Sequence, residues 1–397
     1  MSIFNKANIL LPTNADMTKW SVVACDQYTS EKEYWDRVTD FTTGSPSTLN
    51  LIFPEAYLSS VNFEEKISKI NASMQEYLDN GIFTEYKDAL IFVKRTFESG
   101  EIRCGLIGAV DLEEYDYSKD STSNIRATEA TVAERIPARV TIRRDAPIEL
   151  PHILLLMDDK EDAVLGALKK NAPSKKLYDF TLMENGGKLE GYLIENGDEI
   201  LDNLHSLPSN PLIAVGDGNH SLAGAKAAWE EVKKTLSDSE KENHPMRFAL
   251  CELVNLYEDS LVFEPIYRVF FGCDANKLIS EMAKSERKFT HRVPYSFKGK
   301  KGEITFSSDC HIPSGAVTEF LESYAKENGG SIDYIHGFDT AEGMGEKEGN
   351  IAFFAPCLKK EDLFTSVNTY GPLPKKTFSM GHAEEKRFYT EARRIKK

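Results

Sequence analysis

The segment AVGDGNHSLAGAKAAW, residues 214–229, joins an apolar run to an alanine-rich run across two glycines. The apolar run PLIAVG predicts a buried strand, and the stretch that begins HSLAGAKAAW predicts a helix. Between them, Gly216 and Gly218 flank Asp217, and glycine permits the positive φ angles and close backbone approach of a tight turn. The segment therefore predicts a strand, a tight turn and a helix N-terminus in direct succession.

This turn has the composition of an anion-binding active site. The unpaired N–H groups and the dipole of a helix N-terminus favour a negatively charged ligand. Polar side chains follow the glycines and can donate to phosphate oxygens, and an aspartate can hold Mg²⁺ or accept a proton. The candidate catalytic residues are Asp217 and His220, the candidate metal ligand is Asp217, and the candidate phosphate-binding residues are Gly216, Gly218, Asn219 and Ser221.

The alternative is a structural turn in which Asp217 or Asn219 is the N-cap of the helix. The segment is not a Walker A loop, because the lysine of GxxxxGK[ST] is missing. It is not a GxGxxG loop either, because Ser221 stands where the third glycine belongs. A histidine beside the cap of a glycine turn is unusual in a purely structural element, so both interpretations stay open.

Three other stretches hold residues suited to phosphate contact. RATEAT (126–131) predicts the start of a helix with a charged pair on one face, either solvated or part of a site. EPIYRVF (264–270) predicts a strand, in which a buried arginine must be paired or face a pocket. LPKKTF (373–378) lies in a charged tail that is either solvated or a phosphate contact. The candidate substrate- and phosphate-binding residues in these stretches are Arg126, Glu129, Arg268, Lys375, Lys376 and Thr377.

The composition of the chain limits the kinds of partner that the protein is expected to bind. The chain has 397 residues and a formal net charge of −15, which disfavours nucleic acid and anionic membranes but allows a small cationic pocket. The longest apolar run, HILLLM, is too short for a membrane span, and the N-terminal stretch lacks the features of a signal peptide. None of the six cysteines is in a CxxC pair, which favours a reduced, cytoplasmic protein over a disulfide framework or zinc site.

The order of predicted elements favours an α+β or mixed α/β fold. Strands at 89–97 and 102–112 are joined by a Ser-Gly hairpin signal, whereas other strands alternate with helices. We expect the strand–turn–helix element to be embedded in a larger mixed sheet. The predicted division is a main domain over 1–260, which contains the turn, and a C-terminal α/β region over 261–397, which packs on it and ends in a charged helix.

Five short motifs, in the same order over nearly the whole chain, resemble the family called domain of unknown function 1015. Members carry ADGHHRY after a strand, where this chain has GDGNHSL. An early Asp/Pro-Tyr element compares with CDQY, a helical glutamate–threonine pair with RATEAT, PTHRV with EPIYRV, and MPxKST with LPKKTF. The DGHHR element is in turn similar to that of the free-serine kinases and the ParB/sulfiredoxin superfamily, in which this turn binds nucleotide phosphates.

The resemblance implies a ParB/sulfiredoxin-like strand–turn–helix element, a nucleotide- or phosphate-binding pocket and a small-molecule phosphotransferase. For such an enzyme we expect ATP or ADP as co-substrate and Mg²⁺ as cofactor. By position, Asp217 matches the family's aspartate. Asn219 and His220 match its two histidines, and Ser221 matches its arginine. Loss of that arginine removes a two-pronged phosphate donor. The candidates to replace its charge are Lys375, Lys376, Arg126 and Arg268.

Three functions remain open at this point. One is a Mg²⁺-dependent phosphotransferase acting on a small hydroxylated metabolite, with Asp217 as metal ligand or base and His220 as a donor to phosphate. Another is a nucleotide-binding regulatory module without turnover. The third is a hydrolase or isomerase that uses Asp217 and His220 as an acid–base pair. Each takes a small-molecule ligand, none needs nucleic acid or a membrane, and each is compatible with a homo-oligomer.

Overall fold

The computed structural model describes residues 2–25, 28–57 and 62–396. The strands in these residues are β1 Phe4–Asn5, β2 Ala7–Pro12, β3 Phe83–Thr96, β4 Ile102–Asp111, β5 Tyr115–Asp116, β6 Ile125–Ala127, β7 Ile148–Glu149, β8 Leu154–Met157, β9 Lys176–Thr181, β10 Lys188–Ile194, β11 Ile213–Asp217, β12 Phe248–Asn255, β13 Phe263–Phe271, β14 Phe289–Phe297, β15 Lys300–Ser308, β16 Ser331–His336, β17 Asn350–Phe353, β18 Phe378–Met380 and β19 Arg393–Arg394. The helices are α1 Met17–Trp20, α2 Lys32–Thr42, α3 Phe63–Asp79, α4 Ile136–Arg144, α5 Gly166–Lys170, α6 Asp198–His205, α7 Asn219–Val232, α8 Asp238–Glu242, α9 Ala275–Met282, α10 Pro313–Asn328, α11 Phe338–Gly345 and α12 Leu363–Tyr370.

The chain divides into two compact units. The first combines Met1–Leu261 with Gly381–Lys397, and the second is Val262–Met380. The expected regions, 1–260 and 261–397, differ from this division in the final segment, which belongs to the first unit. The reason is main-chain pairing, since the Tyr389 N–H donates to the Val22 carbonyl at 2.9 Å.

The first unit is built on a mixed sheet. Its path is β5-β6-β11-β8-β12-β4-β3-β10-β9, with β1 beside β4 and β2 beside β3. Strand β6 runs parallel to β5 and β11, and β8 runs parallel to β12, whereas β11 and β8 are antiparallel. The predicted hairpin is confirmed, because β3 and β4 pair antiparallel and Gly100 turns between them with φ +87°. The fold is therefore a mixed α+β fold, as expected.

The strand–turn–helix element lies in the interior of this sheet. Strand β11 has β6 on one side and β8 on the other, and its residues Ile213, Ala214 and Val215 are fully buried. Helix α7 buries Leu222 and Trp229, and the Trp229 indole N–H donates to Glu113 Oε1 at 2.6 Å. Both arms of the turn are thus anchored in the core. Within the described residues, no helix combines the length and hydropathy that a membrane crossing requires.

Two predicted helices are wrong. RATEAT forms the end of strand β6 and a loop, and helix α4 begins only at Ile136, one residue before Pro137. The tail contains a short 3-10 turn at Ala383–Glu385 and the short strand β19 instead of a charged helix. In both cases side chains from elsewhere in the first unit take the backbone groups that a helix needs, as described below.

The second unit has an antiparallel sheet of its own. The order is β15-β14-β17-β13-β16, and β18 pairs with β13. Helices α9, α10, α11 and α12 belong to the same unit. The predicted strand EPIYRVF is confirmed as most of β13.

A buried ion triplet fastens the end of the chain in the first unit. Glu149 Oε1 accepts from Arg393 Nε at 2.7 Å and from the Leu250 N–H at 3.0 Å, and Glu149 Oε2 accepts from Arg143. Burial alone would raise the pKa of the Glu149 carboxyl, but Arg143 and Arg393 outweigh it and lower that pKa below its ordinary value. The carboxylate is therefore charged near neutral pH and holds β19 against β7.

We expect Glu149→Gln to lower the free energy of unfolding near pH 7 by about 3–5 kcal/mol, because it leaves the buried Arg393 guanidinium and the largely buried Arg143 guanidinium uncompensated. Urea unfolding measures this loss, with the exposed Glu98→Gln as control. Because folding lowers the pKa of Glu149, its contribution is complete above the ordinary glutamate pKa and is lost as the pH falls through the native value. The difference between wild type and variant must therefore shrink on acidification, and a constant difference would contradict this account.

Candidate functional site

The turn begins with a β-bulge at Gly216. Val215 pairs with Leu155 of β8 but Asp217 pairs with Leu154, so Gly216 is the extra residue. A bulge re-aims the side chains that follow it. Here it places Asp217 opposite Leu154, which is itself opposite Glu252 of β12. Residues opposite one another share a sheet face, so Asp217 and Glu252 lie on the same face, two strands apart.

Gly218 forms the actual N-cap of helix α7. Its backbone is left-handed, with φ +84° and ψ 26°, and no side chain caps the helix. The cap is therefore neither Asp217 nor Asn219. Asp217 Oδ1 instead accepts from the Gly218 N–H at 2.9 Å, just outside the helix. The first N–H groups inside α7 thus have no side-chain cap, and the Asp217 carboxylate lies beside them.

Asn219 and His220 hold the loop that follows β6. Asn219 Oδ1 accepts from the Thr128 N–H at 3.2 Å, and Thr128 Oγ1 donates to the Val215 carbonyl at 2.5 Å. His220 Nε2 accepts from the Val132 N–H at 3.1 Å. An imidazole nitrogen that accepts carries no proton, so the His220 proton is on Nδ1. The His220 bond also helps to explain why no helix runs on from RATEAT, because a helix would direct the Val132 N–H to the Thr128 carbonyl.

Asp217 forms an ion pair that the sequence did not indicate. The distance from Lys386 Nζ to Asp217 Oδ2 is 3.3 Å, and the Lys386 side chain is 15% exposed. Burial opposes ionisation of Asp217, but Lys386, His152 and the Gly218 N–H together lower the pKa of the carboxyl below its ordinary value. Asp217 is therefore a carboxylate near neutral pH, which suits a ligand of cations better than a general base.

A chain of three side chains adjoins the ion pair. Ser221 Oγ, in the first turn of α7, lies 3.3 Å from His152 Nε2. On the other side of the same ring, His152 Nδ1 lies 2.6 Å from the Tyr389 hydroxyl. His152 immediately precedes the buried residues that lead into β8, and Ser221 and His152 are half-buried. Neither His152 nor Tyr389 was a candidate from the sequence.

The segment that supplies Lys386 and Tyr389 is the strap, residues 381–395, which buried arginines fasten to the sheet. Arg95 Nη1 donates to the Lys386 carbonyl at 2.6 Å and to the Glu385 carbonyl at 3.1 Å. Arg103 Nη1 donates to the same Glu385 carbonyl at 3.1 Å. These bonds occupy carbonyls that a helix would need, so the strap stays extended beyond its 3-10 turn.

Arg387 makes the ionic part of this attachment. Its Nε donates to Glu252 Oε2 at 2.9 Å, and its Nη2 donates to Glu391 Oε2 at 2.6 Å. Because Glu252 shares a sheet face with Asp217, the Arg387 and Lys386 pairs are neighbouring contacts of one strap on one face. The signal for Lys386 in the sequence was only its place in the charged run HAEEKR.

Arg126 and Glu129 were predicted to share one face of a helix, and this prediction is wrong. Arg126 is buried on β6, where its Nε donates to the Ser123 carbonyl and its Nη2 to Asn210 Oδ1, both at 2.8 Å. Both partners precede the strands β6 and β11, whereas the turn follows β11. Glu129 is half-buried in the loop after β6. The two residues do not share a helical face, because Arg126 is on a strand and Glu129 is in a loop.

The remaining candidates belong to the second unit. Arg268 is fully buried, and its Nη2 donates to the Lys376 carbonyl at 2.8 Å while its Nε donates to Thr318 Oγ1 at 3.0 Å. Burial lowers the pKa of Arg268 to about 10. Thr377 Oγ1 donates to the Pro374 carbonyl at 2.6 Å, and the lysines of LPKKTF are exposed. Arg268 thus supports the backbone of this segment, and a phosphate contact by Lys375, Lys376 or Thr377 stays a prediction.

The donor set for a metal is sparse. In the part of the chain that the structure describes, no group of three or more His, Cys, Asp and Glu side chains is arranged to hold an ion. Asp217 is the carboxylate at the turn. Asp26 and Gln27 of the CDQY motif lie outside the described residues.

Residues 8–393 match the sequence model of a protein family, which is described as a protein of unknown function (DUF1015). No curated protein matches the chain. Similar solved structures include a mutant free serine kinase in complex with AMP, with 13% identity, 72% of this chain and 91% of that chain covered, and a TM-score of 0.41. A mutant free serine kinase in complex with ADP is 13% identical, with 76% of this chain and 95% of that chain covered and a TM-score of 0.41. A conserved hypothetical protein from Pyrococcus furiosus is 13% identical, with 71% of this chain and 93% of that chain covered and a TM-score of 0.37.

We expect Gly218→Ala to be more destabilising than Gly44→Ala. Both glycines have positive φ angles, so each substitution costs about 1–2 kcal/mol for the backbone conformation alone. An added Cβ at Gly44 meets no atom within 4 Å, whereas at Gly218 it lies 3.1 Å from Ile153 Cγ1 and 3.2 Å from Ile153 Cα. Urea unfolding of both variants measures the comparison. Equal losses would show that the turn has room for a side chain against Ile153.

Proposed function

The chain belongs to the DUF1015 family of proteins of unknown function, and we propose that its turn 216–221 binds the phosphates of ATP or ADP for phosphoryl transfer to a small hydroxylated metabolite. The observation that carries the proposal is the N-terminus of α7, which begins at a left-handed glycine and has no side-chain cap. Lys386 lies beside it, paired with Asp217. An anion at this point gains main-chain N–H donors, the helix dipole and a nearby cation.

Lys386 supplies the positive charge that Ser221 lacks in the position of the family's arginine. Its side chain is only 15% exposed, so its attraction for a phosphate is screened less than that of a surface lysine. Lysine binds phosphate as a point charge and needs no fixed two-pronged geometry. Arg126, an alternative source of charge, has its guanidinium engaged by Ser123 and Asn210.

The other turn residues have roles that follow from their protonation. His220 can donate to a phosphate oxygen only from Nδ1, because its Nε2 accepts from Val132. Asp217 is ionised, which fits a Mg²⁺ ion held through one protein carboxylate and substrate phosphates. Such an ion, bound at Asp217, would neutralise charge on the phosphate oxygens. The same two facts weigh against an acid–base pair of Asp217 and His220 in a hydrolase or isomerase.

Phosphoryl transfer depends mainly on positioning and charge neutralisation, and this turn has the groups for both. Main-chain N–H groups at the start of α7 hold the phosphates in place, and Lys386 offsets negative charge on the transferring group. Binding alone, without transfer, would make the protein the regulatory module of the second hypothesis. Release of ADP from ATP in the presence of hydroxy-amino acids and sugars separates the two functions.

We expect Lys386→Gln to weaken ADP and ATP binding about 10- to 100-fold, the loss of one charge-assisted phosphate contact. Isothermal titration of each nucleotide, with Mg²⁺ and with EDTA, measures the dissociation constants. Lys396→Gln is the matched control, because Lys396 is an exposed lysine near the same chain end whose Nζ donates to the Asp145 carbonyl.

The proposal is overturned if wild type binds neither nucleotide under any of these conditions. It is also overturned if Lys386→Gln and Lys396→Gln bind both nucleotides as tightly as wild type. Melting temperatures of the three proteins without nucleotide show whether a loss of binding comes from a loss of folding.

A further inference from the structure

The chain Ser221–His152–Tyr389 has the arrangement of an activated nucleophile. A serine hydroxyl is a weak nucleophile until a base accepts its proton, and that base needs a third group to orient it. Ser221 Oγ is 3.3 Å from His152 Nε2, and His152 Nδ1 is 2.6 Å from the Tyr389 hydroxyl. If the Nδ1–H donates to the tyrosine oxygen, the Nε2 lone pair faces Ser221. These contacts join three elements that lie far apart in sequence.

The surroundings favour the charges that such a nucleophile develops. Ser221 lies in the first turn of α7, where the helix dipole stabilises negative charge on its oxygen. Asp217 interacts electrostatically with His152 and can stabilise the imidazolium that forms when the ring takes the serine proton. Lys386, paired with Asp217, lies close to the same point. A phosphate bound at the turn therefore arrives beside the serine oxygen.

We propose that Ser221 is the phosphoryl-accepting nucleophile of this site, with His152 as its general base and Tyr389 as the residue that orients His152. This inference rests on the proposed nucleotide binding at the turn and adds a phosphoserine intermediate to it. At this position the family resemblance has arginine, whereas this chain has serine.

Phosphoryl transfer through Ser221 takes two steps. Ser221 Oγ attacks the γ-phosphorus of ATP, the bond from that phosphorus to the β,γ-bridging oxygen breaks, and ADP leaves with the electron pair. The serine proton moves to His152 Nε2. In the second step, the hydroxyl oxygen of the metabolite attacks the phosphorus of phosphoserine, and the bond from that phosphorus to Ser221 Oγ breaks with its electron pair going to Oγ. The metabolite proton passes to solvent, and Ser221 Oγ recovers its proton from His152 Nε2.

A two-step transfer has a signature that needs no knowledge of the metabolite. With ATP, Mg²⁺ and labelled ADP alone, the wild-type protein must exchange label from ADP into ATP, because the first step is reversible without an acceptor. Mapping by mass spectrometry must find one phosphoryl group on Ser221. Ser221→Ala must abolish both signals, and His152→Gln must slow exchange by about 100-fold or more, the usual contribution of a general base.

Tyr389→Phe tests positioning apart from stability. It must slow exchange while leaving ADP binding within about twofold of wild type, because it removes only the hydroxyl that orients His152. Ser239→Ala is the matched serine control, since Ser239 is exposed on α8 and must leave exchange unchanged. Melting temperatures identify any variant that fails to fold.

The outcomes separate this inference from the proposed function. If wild type binds ADP and ATP but shows neither exchange nor phosphoserine, Ser221 is not the nucleophile and nucleotide binding at the turn still stands. If wild type binds no nucleotide, both proposals are overturned. If exchange persists in folded Ser221→Ala, or proceeds at the wild-type rate in folded His152→Gln, the assigned nucleophile or base is wrong.

Discussion

Buried guanidinium groups hold the strap against the large sheet, and the candidate site depends on that attachment. Arg387 lies between Glu252 and Glu391, and these carboxylates raise its pKa although burial acts in the opposite direction. Arg95 lies among backbone carbonyls of the strap and of Gly186, so burial lowers its pKa well below the ordinary value. One arginine thus contributes an ionic anchor and the other a set of hydrogen bonds to the main chain.

This attachment fixes the positions of Lys386 and Tyr389. Arg95 binds the carbonyl of Lys386 itself, and Arg387 is the next residue, so the backbone that carries the lysine is held on both sides. Three residues later, the Tyr389 N–H pairs with the Val22 carbonyl. A cation on a long, flexible side chain loses less conformational freedom on binding when its backbone is already fixed. The strap therefore preorganises the positive side of the proposed anion site, whose other side is the turn.

The turn was predictable because its information is local. Two glycines between an apolar run and an alanine-rich run were enough to predict β11, the turn and α7, and the hairpin at Gly100 was equally local. The partners of the turn were not predictable, because nothing in the sequence brings them near it. His152 is 69 residues from Ser221, and Tyr389 is 237 residues from His152.

The wrong predictions have the same physical origin. RATEAT has a helical pattern, but Arg126 and Ala127 pair with β11, and His220 binds the N–H of Val132 just after the stretch. The tail has the charged composition of a helix, but Arg95 donates hydrogen bonds to the Glu385 and Lys386 carbonyls. Local propensity is worth only tenths of a kcal/mol per residue, so a few buried hydrogen bonds from other elements override it.

The most direct test of the account asks whether one ligand protects the turn and the strap together. Amide hydrogen exchange of the wild-type protein, with and without ADP, measures this residue by residue. We predict slower exchange at residues 218–222 and also at residues 384–389 when ADP is bound, because the ligand is held from both sides. Protection that includes neither segment, or that lies only within 262–380, would contradict the central claim that the turn and the strap form one anion site.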